Sequence, residues 1–142
     1  MTTPTHRDDE QERERRRVEY TARINRVLDH IEAHLDQPLR LRELAAIAHL
    51  SPFHFHRVFG AMTGETVSRL VQRLRLEKAA MQLRSLPAKP VTDVALDCGF
   101  SGSSAFARAF REGFGTSPSA WRRTRQYLCQ VGRFCRNTSI RL

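Results

Sequence analysis

The sequence has no run of about 18 apolar residues, the length a helix needs to cross a bilayer. Its opening stretch, MTTPTHRDDEQERERRR, lacks the apolar centre of a secretory signal. No membrane partner is expected, and the expected location is the cytoplasm. Cysteine is scarce and scattered: Cys98, Cys129 and Cys135 form an odd set without a CxxC pair, so a disulfide framework is not expected, nor zinc or redox chemistry. His49, His54 and His56 do not form a helical metal pair either, because positions 54 and 56 point about 200° apart. No Ser/His/Asp set, paired carboxylates or glycine-rich phosphate loop is present. The expectation is a protein that is not an enzyme and uses no cofactor or metal.

Acid is the other thing in short supply, and its absence is local. The net charge is +9, yet residues 1–17 sum to zero, with five Arg against five Asp and Glu. The whole excess lies in residues 18–142, and from Ser103 onward eight Arg face one acid, Glu112. A basic surface of this kind favours a polyanion, nucleic acid most simply and anionic lipid as the competing target. Charge alone does not choose between them.

Residues 1–17 carry no apolar period and read as a disordered charged extension, or as a solvated helical one. From about Val18 to Leu35 the positions Tyr20, Ile24, Val27, Leu28, Ile31 and Leu35 follow helical spacing, and Pro38 ends the segment. Residues 41–50 predict a short helix with Leu41, Leu44, Ala45 and Ala48 inward. Residues 51–64 predict another, with Ser51 as N-cap, Pro52 in the first turn and Gly64 at the end. Its inward row is Phe55, Val58, Phe59 and Met62; Phe53, His56, Arg57 and Gly60 form the outward row.

Thr66–Leu86 is the stretch that organises the rest. At about 100° per residue, Val67, Leu70, Val71 and Leu74 cluster on one side of a helix, whereas Leu76, Ala79, Ala80 and Leu83 cluster roughly opposite. A helix on one core keeps one stripe, so opposite stripes imply two small cores; burial all round in one core is the alternative. After the prolines at 87 and 90 the pattern repeats. VTDVALDCGF lies over LRELAAIAHL at an offset of 50 residues, and SSAFARAFREGFG lies over the 51–64 segment at an offset of 51. The second outward row is Ser104, Ala107, Arg108 and Arg111. Gly99 falls at the tight turn, where positive φ is often needed. Thr116-Ser117-Pro118 caps a last helix, SPSAWRRTRQYL, anchored by Trp121. Residues 127–142 read as a basic tail.

The fold class is therefore all-α, about seven helices: two helix-turn-helix subdomains (18–64 and 87–126) joined by a long linker helix (65–86). In this motif the second helix of each pair enters the major groove. A straight 19-residue linker is about 28 Å long at ~1.5 Å per residue, near the ~34 Å between successive major-groove faces.

Residues 24–123 resemble the DNA-binding domain of AraC/XylS-type bacterial transcription regulators. The matching marks are LRELAAIAHLSPFHFHRVFGAMTG, Arg75-Leu76 followed by Ala79, VTDVALDCGF and, most specifically, SSAFARAFREGFGTSPSAWR. The resemblance implies that Phe53, His56 and Arg57 reach bases, with Pro52 and His54 near the backbone, and that Ser103, Ser104, Ala105 and Arg108 serve in the second unit. Ala105 stands where members often carry an aromatic, and Ser103 and Ser104 are short, which shifts that helix toward phosphate contacts and DNA shape. Arg57 and Arg108 are candidates for guanine O6/N7, against a phosphate or solvated role. His56 contacts base or phosphate, or is a plain surface histidine. Phe53 meets a thymine methyl or folds back on the core. Arg122, Arg123 and Arg125 are read as phosphate-facing or solvated, and Phe55, Phe59, Phe106, Phe110 and Trp121 as core.

The implied function is a sequence-specific regulator of transcription, more an activator than a repressor, that binds promoter DNA as a monomer and contacts RNA polymerase. No small-molecule site is visible in the sequence. The alternatives are a DNA-binding fragment of a larger ligand-responsive regulator and a non-specific basic nucleic-acid-binding protein.

Overall fold

The computed structural model describes residues 6–124. Among them the helices run α1 (His6–Ala33), α2 (Leu41–Ile47), α3 (Pro52–Thr63), α4 (Val67–Ser85), α5 (Val91–Asp97), α6 (Ser103–Phe114) and α7 (Pro118–Arg123), and no strand occurs. Short-range chemistry sets the boundaries. The Ser51 side chain accepts a hydrogen bond from the His54 amide, and Pro52 takes the first helical position of α3. Thr66 caps α4 through the Arg69 amide, and Ser117 caps α7 through the Ala120 amide. Gly64 and Gly115, at φ 77° and 72°, close α3 and α6 in the left-handed region. Helix α4 stops one residue before the Leu86-Pro87 step, as the restriction on a residue preceding proline requires.

The two faces of α4 belong to two separate cores. Val67, Leu70, Val71 and Leu74 are buried with Ile24, Val27 and Ile31 of α1, Leu44 of α2, and Phe55 and Phe59 of α3. Leu76, Ala79, Ala80 and Leu83 are buried with Val94 and Cys98, with Phe106, Phe110 and Phe114 of α6, and with Trp121 of α7. The second core is an aromatic stack: Phe110 lies 5.8 Å from Trp121, and Phe114 lies 4.6 Å from Phe110 and 4.8 Å from Trp121. The Trp121 indole N–H donates to the Ala80 carbonyl at 3.2 Å, joining α7 to the linker. Truncating Phe59 or Phe110, both fully buried, to alanine would cost about 3–5 kcal/mol. That is a large share of what a half-size core supplies.

One detail differs from the sequence reading, and another decides between its alternatives. Helix α1 starts at His6, a dozen residues before the apolar period begins, and His6–Glu19 is exposed throughout. Ion pairs at helical spacing, His6–Glu10, Glu12–Arg16 and Glu19–Arg23, let a run without an apolar face continue the helix. Leu41, expected inward, is 39% exposed; it holds the first position of a short helix that meets the core one turn later, at Leu44 and Ala45. The end of the predicted last helix, Arg125, Cys129, Cys135 and the basic tail lie outside the described residues.

Candidate nucleic-acid interface

The two helix pairs share one turn geometry. Leu50 N–H donates to the Ala45 carbonyl and Phe100 N–H to the Ala95 carbonyl, both at 3.0 Å, and the same offset relates His49→Ala46 to Gly99→Leu96. The residue between, His49 or Gly99, has φ 54° or 85°. The second turn is crowded: a Cβ on Gly99 would stand 2.2 Å from the Leu35 carbonyl oxygen. His49 is exposed, so its strain is confined to the backbone.

Helix α3 presents its outward row on one face. Pro52, Phe53, His54, His56 and Arg57 are all exposed. Phe53 is 74% exposed and does not fold back onto the core. The Arg57 guanidinium lies 5.9 Å from its ring centroid, an arrangement that orients the cation without sequestering it. His54 turns sideways toward α1, with Nε2 3.2 Å from the Tyr20 hydroxyl. Arg23, also on α1 and paired with Glu19, reaches the Ala48 and His49 carbonyls at 3.5 Å and so braces the turn ahead of α3.

Helix α6 presents Ser103, Ser104, Ala105, Arg108 and Arg111, all exposed, whereas Ala107 of the expected outward row is half-buried. Among the described residues no ion pair engages Arg57, Arg108 or Arg111. Ala105 borders an open groove of about 510 Å³ along α4, between the two units, with Ser68, Gln72, Phe100 and Ser101. The small side chains at 103–105 leave this end of α6 low, with Arg108 and Arg111 as its reach.

Other arginines hold the frame rather than face outward. Arg122, read from the sequence as phosphate-facing or solvated, instead donates to the Leu83 carbonyl at 3.2 Å and the Lys89 carbonyl at 2.6 Å. Arg84 stacks on Trp121 at 4.6 Å. Arg73 bonds Glu65 at 2.5 Å and Glu77 at 3.3 Å; burial opposes its charge, but the two carboxylates outweigh that and hold its pKa above the ordinary value. Arg123 Nε donates to the Ser119 carbonyl one turn back, at 3.3 Å, with the residue still exposed. The Arg73–Glu77 pair is visible in the sequence at i,i+4 spacing, whereas the Arg122 role carries no sequence signal, because its acceptors are distant main-chain carbonyls.

Cys98 is fully buried, and burial pushes its thiol up to about 11, so it stays protonated at neutral pH and lacks the thiolate a nucleophile needs. Among the described residues no three His, Cys, Asp or Glu side chains converge as a metal site, and no helix is long and apolar enough to cross a membrane.

Two equivalent turns, each delivering an exposed helix and both carried by one 19-residue helix, define a double helix-turn-helix domain. A family model described as a helix-turn-helix domain matches residues 44–124. Transcriptional regulator Rob of Salmonella typhimurium LT2 is 38% identical over 104 residues, 73% of this chain and 36% of its own length. Regulatory protein SoxS of the same organism is 32% identical over 99 residues, 70% of this chain and 92% of its own length. The chain thus spans about a third of the first of these relatives and nearly all of the other. The DNA-binding domain of AdpA, a global transcriptional factor solved in complex with a target DNA, superposes with a TM-score of 0.67 at 29% identity, covering 76% of this chain and 95% of that one. The chain belongs to the AraC/XylS family of helix-turn-helix transcription regulators, a family of regulators and not of enzymes.

Proposed function

We propose that this chain regulates transcription by sequence-specific binding to duplex DNA, with α3 and α6 of a single molecule entering two successive major-groove segments. In α3, Phe53, His56 and Arg57 face the bases while Pro52 and His54 lie near the backbone. In α6, Arg108 is the base-reading cation, Ser103, Ser104 and Ala105 allow close approach, and Arg111 faces phosphate. The observation that carries the reading is the duplication itself: two exposed, basic second helices in equivalent turns, on opposite ends of one 19-residue helix. At ~1.5 Å per residue that helix is about 28 Å long, close to one turn of B-DNA. The two outward rows differ chemically, so the site is asymmetric and one chain suffices. The bound protein acts in the cytoplasm by presenting its DNA-distal surface to RNA polymerase, as an activator.

Titration of a promoter fragment against bulk competitor DNA at physiological salt tests this reading. Specific affinity at least about a thousandfold above non-specific affinity is expected. Equal affinity for both would instead identify a charge-driven, non-specific binder.

A further inference from the structure

We propose that Arg75 is a positioning residue that fixes the rotational phase between the two reading helices, and so sets which half-site spacing the protein accepts. The inference rests on the two-groove reading above.

Three parts of the chain meet at this one side chain. Arg75 projects from the middle of α4, between the last residue of the first core stripe, Leu74, and the first of the second, Leu76. Its Nε donates to the Leu35 carbonyl at 2.8 Å and its Nη2 to the Gln37 carbonyl at 2.9 Å, just past the end of α1. The turn of the second unit closes over the same spot: a Cβ on Gly99 would lie 2.2 Å from the Leu35 oxygen, 2.8 Å from Arg75 Nε and 2.9 Å from its Cζ. Leu35 is a member of the first core, and Gly99 adjoins Cys98 of the second. The guanidinium and the Leu35 carbonyl therefore join the two units at a point that neither core contains.

The joint lies at the edge of an open space between the units. Beside it they part, leaving the open groove of about 510 Å³ between Leu39, Val67 and Val71 on one side and Phe100, Ala105 and Ala109 on the other. Long helices are rarely straight, and two small cores on opposite faces of α4 do not by themselves fix their mutual twist. The Arg75 fork adds two charge-assisted bonds that tie the centre of α4 to the end of α1, and the Gly99 turn of the second unit packs directly against that bonded pair. Lysine at this position would supply one point charge in place of the fork.

The test uses the full chain with Cys129→Ser and Cys135→Ser, spin labels on Ala61→Cys and Glu112→Cys, and Arg75 as wild type, Arg75→Ala or Arg75→Lys. The distance distribution between α3 and α6 is measured without DNA, and affinity is measured on a duplex site obtained by selection from random DNA with the wild type and on copies with one or two base pairs inserted or removed between its halves. Arg75→Ala is expected to broaden the distribution with helicity retained, to lose about tenfold in affinity at native spacing, and to flatten the spacing profile. Arg75→Lys should fall between; it also carries both readouts if the alanine variant does not fold. An unchanged distance distribution overturns the proposal, and so does an equal affinity loss at every spacing. A wild-type footprint confined to one groove segment overturns the two-groove reading instead, and the DNA-free distances still decide the clamp.

Discussion

His49 and Gly99 hold equivalent places in the two helix-turn-helix turns, at φ 54° and 85°, but His49 is exposed whereas a Cβ on Gly99 would collide with the Leu35 carbonyl oxygen. Substitution should therefore act in opposite directions. His49→Gly relieves a left-handed residue and is expected to be neutral or stabilising by up to about 1 kcal/mol. Gly99→Ala adds strain and a collision with the Leu35 carbonyl, and is expected to destabilise by at least about 2–3 kcal/mol. Urea unfolding of the two variants checks both signs.

Phe53 and Arg57 should act as a unit. Phe53→Ala removes the ring beside the guanidinium, so it is expected to weaken discrimination at the same base step as Arg57→Ala. A double-mutant cycle on the preferred site should give a coupling of about 0.5–1 kcal/mol. Additive losses would assign the two side chains independent contacts.

Arg111 and Arg108 should separate by salt dependence. If Arg111 faces phosphate, Arg111→Ala weakens all sequences alike and lowers the slope of log K against log salt by about 1. Arg108→Ala should relax preference at one base position, a loss of about 1–3 kcal/mol there. Titrations at several salt concentrations, on specific and scrambled DNA, distinguish them.

Cys98 gives a pH signature. Its thiol ionises near 9.0 when unfolded and is pushed up to about 11 by burial in the fold. Because the native state holds the proton more tightly, its contribution is fully present below the unfolded pKa and is lost as pH rises from about 9 to about 11. The slope approaches about 1.4 kcal/mol per pH unit within that window. With Cys129→Ser and Cys135→Ser as background, Cys98→Ala should shrink the loss of unfolding free energy between pH 8 and pH 10.5 that the parent shows, leaving the part due to lysine and tyrosine ionisation.

The parts legible in the sequence were those written in periodicity and local caps. Opposite stripes on α4, Ser51 and Ser117 as caps and the glycine stops at 64 and 115 depend on residues within a few positions, so pattern alone locates them. The exposed candidates Phe53, Arg57, Arg108 and Arg111 followed from the same helical spacing. What escaped depends on long-range geometry. The sequence leaves the 6–17 stretch between disorder and a solvated helix, because it has charge pairing but no apolar face to decide the matter. The partners of Arg75 and Arg122 are carbonyls more than 30 residues away, and main-chain acceptors leave no trace in residue type. The positive φ of His49 was hidden because glycine did not mark it; its alignment with Gly99 was the available signal.

The central claim, that one chain reads two adjacent groove segments with two different helices, is tested most directly by selecting bound sequences from random duplex DNA with the wild type, Arg57→Ala and Arg108→Ala. The expected wild-type motif is asymmetric, with two blocks about one helical turn apart; Arg57→Ala relaxes one block and Arg108→Ala the other. Relaxation of the same bases by both variants, or a palindromic motif, would contradict it.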